Sequence, residues 1–478
     1  MGHKHHDKKP TTRIGMTRRK FLGSAACAAV GSTTFLSSFT SLGMMNSLAA
    51  PRPVIGMAPP SEYKALVCIL LAGGNDSFNM VVPTQTDQYN DYATSRSNVA
   101  LTSGELLSLN YTDTQGGTYG MHPSMPEVAN LFNDGKAAII SNIGTLIEPV
   151  TKNQVLSETA PLPLGLRSHA DQARHWQTSL PQNRQAKGWG GKIADILAVG
   201  NTNQDISMNL SLSGTNLWQA GESVDEFTIT PQGSVGISIL EGTEPFDVIL
   251  GQGLENILDQ TYNDVLKQTY VKKVQESQIQ HEIFTAALEN LTPLSTQFSQ
   301  TQISRQLRMV ADSIAIAGTL GMSRQTFYVK FGGFDNHGEL LNNHSGRLSL
   351  FSAAIEEFYQ AMDELGMSDN VTTFTVSDFS RTLTSNGYGT DHAWGGNALV
   401  FGGSVNGGQI YGQYPSLALG NDLEIGNGVI LPELCTDEYF AELALWLGVE
   451  PTYLEDIFPN LGNFYTPGTG NPIGFLNV

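Results

Sequence analysis

The run Lys64-Ala-Leu-Val-Cys-Ile-Leu-Leu-Ala72 is apolar from its second residue onward and leads directly into Gly73-Gly74-Asn75-Asp76. A short, continuously apolar run that ends in a tight loop is typical of a parallel strand buried on both faces. The stretch therefore predicts a central strand of a sheet covered by helices, with Asn75 and Asp76 at its carboxyl end.

Strand-like and helix-like segments alternate on both sides of this run, which predicts an α/β fold with a doubly wound, mostly parallel sheet flanked by helices. Further strands are predicted at residues 137–143, 326–331, 371–376 and 397–401, and helices at 125–133, 167–178, 188–199, 348–365 and 438–447. Residues 205–249 resemble short strands and loops, and residues 254–322 show helical periodicity. The segment 205–322 is therefore predicted to be a β/helical insertion or a helical cover on the sheet.

The N-terminus has the layout of an export signal. Arg18 and Arg19 stand just before a weakly apolar stretch at 21–42, and Ser47-Leu48-Ala49 supplies the small residues of a cleavage site. The stretch is too weakly apolar for a stable membrane span. A disordered basic tail and an uncleaved anchor are the alternatives. The chain is accordingly predicted to consist of a twin-arginine signal, a Pro-rich linker and a single domain, at residues 1–50, 51–60 and 61–478.

This signal predicts a periplasmic or extracellular location, with the twin-arginine translocase as a partner during export. The formal charge of the chain is −19, and residues 1–50 carry seven Lys or Arg against Asp7, so the exported form would be near −25. Such a surface repels nucleic acid and anionic membranes. An anionic substrate would need a local positive group, such as a metal ion or an arginine. The three cysteines form no CxxC pair and no disulfide framework.

Three of the predicted strands end in an acidic residue, at Asp76, Asp335 and Asp378. Because α/β proteins bind ligands at the carboxyl ends of their strands, we expect these carboxylates to converge, together with His337 and His392. Clustered carboxylates repel one another unless a cation or a proton separates them. Asp and His together suit Zn²⁺, Mn²⁺ or a related divalent ion, with Ca²⁺ and Mg²⁺ as further candidates. A metal held there would polarise an ester oxygen and activate a nucleophile or water.

Each of these motifs also has a purely structural interpretation. Asp76 follows two glycines, where an aspartate is often a turn residue. Asp335 and His337 suit a cap for the next helix, and the pair Asp391-His392 suits a surface turn in a Gly-rich loop. Their joint placement at strand ends is what favours a metal site.

A second polar cluster stands near a predicted helix start. Ser168 is a candidate nucleophile or, equally simply, the N-cap of the helix that follows. His169 and His175 are six residues apart and so do not share a helix face as a local metal pair. Arg381 follows Asp378 closely and suits bidentate binding of an anionic group, or pairing with one of the site aspartates.

Several segments together resemble the family of twin-arginine-exported proteins known as domain of unknown function 1501 (DUF1501). The resemblance spans nearly the whole chain, signal included, and that family is similar to the alkaline phosphatase and sulfatase superfamily. It implies an alkaline phosphatase-like α/β fold. The segments are Leu71-Ala-Gly-Gly-Asn-Asp76, Arg167-Ser-His-Ala-Asp-Gln172, Gly188-Trp189, Gly332-Gly-Phe-Asp-Asn-His337, Ser377-Asp-Phe-Ser-Arg381, Gly389-Thr-Asp-His-Ala-Trp-Gly395 and Gly407-Gly-Gln-Ile-Tyr-Gly412.

The superfamily resemblance also implies a two-metal site served by Asp and His, with a Ser, Thr or modified Cys nucleophile. By that resemblance, the ligands are Asp76, Asp335, His337, Asp378 and His392, and Ser168 is the candidate nucleophile. Arg381 is a second catalytic candidate from the residues themselves, and the further site candidates are Asn75, His169 and Asp391. The sequence departs from the superfamily pattern where Phe379 follows Asp378, since many members place a histidine there. The Cys-x-Pro-x-Arg and Ser-x-Pro-x-Arg motifs of sulfatases do not occur.

The sequence thus leads to two functional hypotheses. The first is an exported, metal-dependent hydrolase of phosphate or sulfate esters. The alternative is a non-catalytic exported protein on the same fold that binds a glycan or assembles with a co-exported protein. An oxidoreductase is not favoured, because the loop after Leu71 lacks GxGxxG spacing and no haem or iron–sulfur pattern occurs.

Overall fold

The structure is a computed structural model that describes residues 62–184 and 186–478. The signal and the linker predicted at 1–50 and 51–60 lie outside the described residues, so both stay predictions. Within the described residues, 237–259 fall in one compact unit, and residues 62–184, 186–236 and 260–478 fall in another. None of the helices within the described residues is long and apolar enough to cross a membrane.

Fourteen strands occur within the described residues. They are β1 Lys64–Ala72, β2 Val81–Pro83, β3 Leu107–Thr112, β4 Thr118–Met121, β5 Ala137–Gly144, β6 Asn209–Ser211, β7 Phe227–Thr228, β8 Arg324–Gly332, β9 Val371–Ser377, β10 Arg381–Ser385, β11 Thr390–His392, β12 Gly396–Phe401, β13 Ile410–Tyr411 and β14 Leu434–Cys435.

The described residues also form thirteen α-helices. They are α1 Ser77–Met80, α2 Thr86–Arg96, α3 Pro126–Asn133, α4 Lys152–Leu156, α5 His169–Thr178, α6 Trp189–Leu197, α7 Ser238–Glu241, α8 Pro245–Leu258, α9 Val265–Glu289, α10 Gln302–Ala315, α11 Leu340–Glu364, α12 Thr436–Leu447 and α13 Leu454–Ile457. Short 3₁₀ turns lie at Ser97–Val99, Ser103–Glu105, Ala198–Gly200, Pro451–Tyr453 and Leu461–Asn463.

The central sheet of the described residues has nine strands in the order β13-β5-β12-β9-β1-β8-β6-β7, with β14 paired to β5. Strand β1 lies inside this sheet, parallel to β8 on one side and to β9 on the other. Only β12 runs antiparallel to its neighbours, β9 and β5. The predicted fold class, α/β with a mostly parallel sheet flanked by helices, is therefore confirmed. A three-stranded sheet β2-β4-β3 and the hairpin β10–β11 complete the strands.

Aromatic packing attaches two helices to the sheet. Phe374 in β9 has its ring centroid 5.8 Å from that of Trp189, the first residue of α6, and Trp189 stacks on Phe440 of α12 at 4.6 Å. All three side chains are buried. Since full burial of one large apolar side chain contributes about 1.5–3 kcal/mol, this cluster is a substantial part of the core.

Two predicted segments differ in extent from the structure. Helix α11 begins at Leu340 rather than 348, because Leu340 and His344 are buried and tertiary packing extends the helix through Asn342 and Asn343, which are weak helix formers. In the middle segment, β6 extends the central sheet by pairing with β8, and α10 packs on β8.

The loops after β1 and β8 approach each other closely at the carboxyl edge of the sheet. Gly73 has φ +117°, and a Cβ placed on it would lie 2.5 Å from the backbone nitrogen of Asp335. Only glycine combines this backbone conformation with such a close approach. The sequence thus brings the loop that carries Asp76 directly against the loop that carries Asp335.

Candidate metal centre

Four side chains from three separate segments meet at this edge of the sheet. Asp335 and His337 belong to the loop after β8, His392 ends the hairpin strand β11, and His169 begins α5. These segments are far apart in sequence. The fold, rather than any local spacing, brings the four side chains together.

The carboxylate of Asp335 is the common contact of the three imidazoles. Its Oδ1 lies 3.1 Å from Nε2 of His337 and 3.3 Å from Nε2 of His392, and its Oδ2 lies 3.4 Å from Nε2 of His169. The two Nε2 atoms of His337 and His392 are 2.9 Å apart. All three imidazoles therefore present the same ring nitrogen to one carboxylate.

The other ring nitrogen of each imidazole faces an oxygen of the protein. Nδ1 of His169 is 2.7 Å from Oδ2 of Asp378, and Nδ1 of His337 is 3.1 Å from Oδ1 of Asp391. Nδ1 of His392 is 2.8 Å from the carbonyl oxygen of Arg167. Carbonyl and ionised carboxylate oxygens only accept hydrogen bonds, so each Nδ1 carries the proton and donates it.

This assignment of tautomers leaves lone pairs on Nε2 of His169, His337 and His392, all directed at the negative oxygens of Asp335. Lone pairs and anionic oxygens at such distances repel one another, and a proton or a cation between them removes the repulsion. Imidazoles whose second nitrogen donates to a carboxylate or a carbonyl are the usual ligands of protein-bound metals. The arrangement can therefore hold a divalent metal ion.

His169, Asp335 and His392 form the compact part of this centre, because their ligand atoms all lie within 4.8 Å of one another. Among the residues that the structure describes, they are the only group of three or more His, Cys, Asp or Glu with this geometry. His337 adjoins the group through Asp335 and His392. One carboxylate and three imidazoles are a donor set that suits Zn²⁺ and other transition ions.

The electrostatics keep the acid ionised and one histidine neutral. Burial opposes ionisation of Asp335, but the hydrogen bond and charge of Arg381, with His337 and His169, outweigh it and lower the pKa of that carboxyl. Burial is the main cause that lowers the pKa of His392. Both shifts favour the protonation states in which these groups bind a cation.

The centre is open to solvent. The side chains of Asp335 and His337 are each 46% exposed, and that of His169 is 38% exposed. A water molecule or a substrate oxygen can therefore reach the Nε2 atoms and the carboxylate without any movement of the chain.

Asp378 and Asp391 lie outside the inner group. Asp378 is mostly buried and holds Nδ1 of His169, and the exposed Asp391 holds Nδ1 of His337. In the structure the two acids orient imidazoles rather than face the common centre. The direct ligand role predicted for Asp378 is not visible in this arrangement, and His169 takes the inner position.

The structure does not bring Asp76 into the centre. Its carboxylate is fully buried and forms an ion pair with the equally buried Arg96, which also donates to the carbonyl of Thr382 at 2.8 Å. Asn75 is also buried, and its Oδ1 lies 2.9 Å from Nε2 of His344. The metal-binding role predicted for Asp76 and the site role suggested for Asn75 remain predictions, without support from these contacts.

The two catalytic candidates have structural contacts. The hydroxyl of Ser168 accepts a hydrogen bond from the backbone nitrogen of Asp171 and caps α5. Arg381 is fully buried and donates to Asp335 at 2.8 Å and to the carbonyl oxygen of Thr390. In both cases the contacts correspond to the structural alternative that the sequence left open.

Sequence reasoning gave too little weight to His169 and did not find Arg96. His169 was compared only with His175 in the same helix, whereas its partners, Asp335 and Asp378, come from other strands. The ring of Phe379 packs against both His169 and His392, with centroids 4.8 and 4.4 Å away. No pattern in the sequence linked Arg96 to Asp76; their pairing is a product of the tertiary fold.

Comparison with solved structures gives several likenesses of low score. The C-terminal periplasmic domain of EcEptC from Escherichia coli, in complex with Zn, is 8% identical with a TM-score of 0.33, covering 82% of this chain and 86% of that chain. The PsFucS1 sulfatase from Pseudoalteromonas sp. is 10% identical with a TM-score of 0.32, covering 81% and 68%. A TAB5 alkaline phosphatase mutant with bound Mg is 11% identical with a TM-score of 0.28, covering 71% and 90%.

The sequence comparisons bear on the family. No curated protein matches the chain. Residues 254–426 match the model of the family described as "Protein of unknown function (DUF1501)", and this segment contains Asp335, His337 and His392. The match confirms, over residues 254–426, the resemblance to DUF1501 that the sequence motifs indicate.

Proposed function

We propose that this chain is a metal-dependent hydrolase of phosphate or sulfate esters that acts in the periplasm or outside the cell. The observation that carries the proposal is the convergence of three Nε2 lone pairs on the carboxylate of Asp335. Each imidazole is fixed by a second contact through Nδ1. Such preorganisation is expected of ligands, because it fixes the ring orientation before the ion binds.

The donor set argues for a particular class of metal. Asp335, His169, His337 and His392 offer one oxygen and three nitrogens, whereas Ca²⁺ and Mg²⁺ prefer oxygen ligands throughout. Zn²⁺, Mn²⁺ or a related transition ion is therefore the expected occupant. When bound, such an ion supplies a Lewis acid for an ester oxygen and lowers the pKa of a bound water.

The residues of the chain have the remaining tasks. Arg381 donates to the carboxylate of Asp335 and fixes its position, and Asp378 and Asp391 orient two of the imidazoles. One anionic ligand leaves a divalent centre with net positive charge, which attracts an anionic ester to a chain that is otherwise strongly acidic. Because the hydroxyl of Ser168 caps α5, we assign the nucleophile to water.

A non-catalytic binding or assembly protein is the second candidate. The position of Ser168 as a helix cap favours it, because the centre then has no side-chain nucleophile. Under this alternative, the protein would still bind the metal but would not turn over esters. The two candidates therefore differ in turnover and not in metal content.

The test is metal analysis of the purified full chain, combined with hydrolysis of 4-nitrophenyl phosphate and 4-nitrophenyl sulfate. We expect a transition metal to co-purify, a chelator to abolish hydrolysis, and His392→Ala to lose both metal and activity. The matched control His281→Ala changes a histidine of α9 that lies outside the centre. A chain without metal, or hydrolysis that chelators leave unchanged, would refute the proposal. Metal without any ester turnover would favour the binding protein.

Export has its own test, because residues 1–50 lie outside the described structure. We expect the double change Arg18→Lys and Arg19→Lys to leave the chain in the cytoplasm of a host that has the twin-arginine translocase. Fractionation of cells that produce the wild-type and changed chains measures this. Equal export of the two chains would argue against the twin-arginine route.

A further inference from the structure

We infer that the centre binds a single metal ion, and that the guanidinium of Arg96 supplies the charge that would otherwise come from a second one. The inference rests on the metal site proposed above. It departs from the two-metal site that the superfamily resemblance implies, in which Asp76 and Asp378 would be ligands. The contacts of these two residues decide the question.

Asp76 is already neutralised by a cation of the protein. Oδ2 of Asp76 accepts from Nη2 of Arg96, both side chains are fully buried, and the hydroxyl of Thr390 lies 3.5 Å from the same oxygen. The ion pair of Asp76 and Arg96 has no net charge, so it does not attract a divalent ion. If the contact with Arg96 were broken, a charged side chain would remain buried without a partner, which is strongly destabilising.

Oδ1 of Asp76 is the atom through which a second cation would have to bind, since it is buried without a hydrogen-bond partner. A divalent ion at that oxygen would add two positive charges to a pair that is neutral as it stands. Excess charge in a site without solvent is strongly unfavourable. The Asp76–Arg96 pair therefore excludes the ion by charge.

Asp378 would offer a second ion only one carboxylate oxygen. Its Oδ2 faces Nδ1 of His169, its Oδ1 is buried without a hydrogen-bond partner, and the next residue is Phe379, whose ring packs against His169 and His392. Phenylalanine has no donor atom for a metal. Among the described residues, the group that includes His169, Asp335 and His392 is the only one with suitable geometry for one ion.

The experiment counts zinc ions on the full chain. The protein is stripped with a chelator, equilibrated with excess Zn²⁺, separated from free ion by gel filtration and analysed for zinc per chain. We expect one zinc per chain in the wild type and none in the double variant His169→Ala with His392→Ala. The double variant Asp76→Asn with Arg96→Met removes both charges of the buried pair together, and it should still bind one zinc.

The possible counts separate the two proposals. Two zinc ions in the wild type, falling to one when Asp76 and Arg96 are changed, would overturn the single-metal inference but keep the proposed metal-dependent function. No zinc at all would overturn the proposed function and this inference together. If the Asp76 and Arg96 double variant does not fold, as judged by circular dichroism, the wild-type count alone decides between one ion and two.

Discussion

Two loops of this protein have nearly the same sequence and opposite surroundings. Strand β1 is followed by Gly73-Gly74-Asn75-Asp76, and its parallel neighbour β8 leads through its last residue into Gly332-Gly333-Phe334-Asp335. Asp76 is fully buried and pairs with one arginine, whereas Asp335 is 46% exposed and faces three imidazoles as well as an arginine. The same local motif thus produces a structural ion pair in one place and a candidate metal ligand in the other.

The difference arises from the elements that pack on each loop. Helix α2 brings Arg96 against the first loop, while the hairpin β10–β11 and the start of α5 bring His392 and His169 against the second. A glycine pair followed by an acid after a strand therefore specifies where a carboxylate lies, but its role depends on which cation reaches it. We expect the first loop to determine stability and the second to determine metal binding.

The largest expected effect is on stability at the first loop. Asp76→Ala leaves Arg96 buried without its partner, and breaking a buried pair in this way costs about 3–5 kcal/mol. Asp335→Asn keeps an amide oxygen as an acceptor for the buried Arg381, and residue 335 is half-exposed, so we expect a smaller cost of about 1–2 kcal/mol in the metal-free protein. Urea unfolding of both variants without metal measures the two costs.

Metal binding should show the reverse order for the same two loops. Asp335→Asn removes the only anionic ligand and should abolish retention of zinc, while Asp76→Asn with Arg96→Met should retain it. Equal losses of stability in Asp76→Ala and Asp335→Asn would show that the two loops do not differ in the way proposed.

The strand ends were the part of this site that the sequence could locate. The runs rich in apolar and β-branched residues predicted β1, β5, β8, β9 and β12, because short runs of this composition are typical of buried strands. The acids at their carboxyl ends followed directly. Which of these acids share a centre could not be predicted, since Arg96, His169 and the hairpin strand β11 reach the edge only through tertiary packing.

The second expected effect is a loss of folding stability at acidic pH, caused by a histidine beside the first loop. Burial lowers the pKa of His344, whose Nε2 contacts Asn75, to about 4. Its unfolded pKa is about 6.5, so the unfolded chain takes up the proton first and the stability contributed by the neutral imidazole is lost as the pH falls below about 6.5. Between pH 7 and pH 5 this amounts to about 2 kcal/mol.

His344→Gln keeps a donor for Asn75 but cannot be protonated. We expect the unfolding free energy of this metal-free variant to fall less than that of the wild type between pH 7 and pH 5, by about 2 kcal/mol. Urea unfolding at the two pH values provides the comparison. An identical fall in both proteins would mean that His344 is already protonated, or not coupled to unfolding, at neutral pH.

The contact between the two loops gives the third effect. In Gly73→Ala, a methyl group would stand 2.5 Å from the backbone nitrogen of Asp335, at a residue with φ +117°. We expect a loss of about 1–3 kcal/mol in stability, because a non-glycine residue is strained at this φ. We also expect weaker zinc binding, because the nearest atom belongs to the backbone of a ligand.

Gly332→Ala is the matched control for this change. It lies opposite Ala72 in the register of β1 and β8, and its added Cβ has no atom within 4 Å. We expect its stability to change by less than about 1 kcal/mol and its zinc affinity to stay as in the wild type. If both alanine variants bound zinc like the wild type, the contact between the loops would have no part in holding Asp335.

The helix that begins at His169 illustrates a different limit of sequence reasoning. The sequence could predict both the N-cap Ser168 and the helix that follows it, because capping depends on neighbouring residues in the sequence. The position of His169 beside Asp335 and Asp378 was not, because it depends on the packing of α5 against the strand ends. Local signals therefore predicted the scaffold better than the site.

The smallest expected effect concerns the outer contact of the second loop. Asp391 is 61% exposed, and its Oδ1 accepts from Nδ1 of His337 at 3.1 Å. Asp391→Ala frees that ring to rotate, and loss of such an outer partner typically weakens metal binding by about 10-fold to 100-fold. We expect the lower end, about 10-fold, because the exposed carboxylate is easily replaced by water. Stability should change by no more than about 0.5 kcal/mol, as at other surface positions.

Zinc titration and urea unfolding of the variant measure the two quantities. If Asp391→Ala lost stability but kept its zinc affinity, Asp391 would have a structural role like that of Asp76. The second loop would then not differ from the first at this residue.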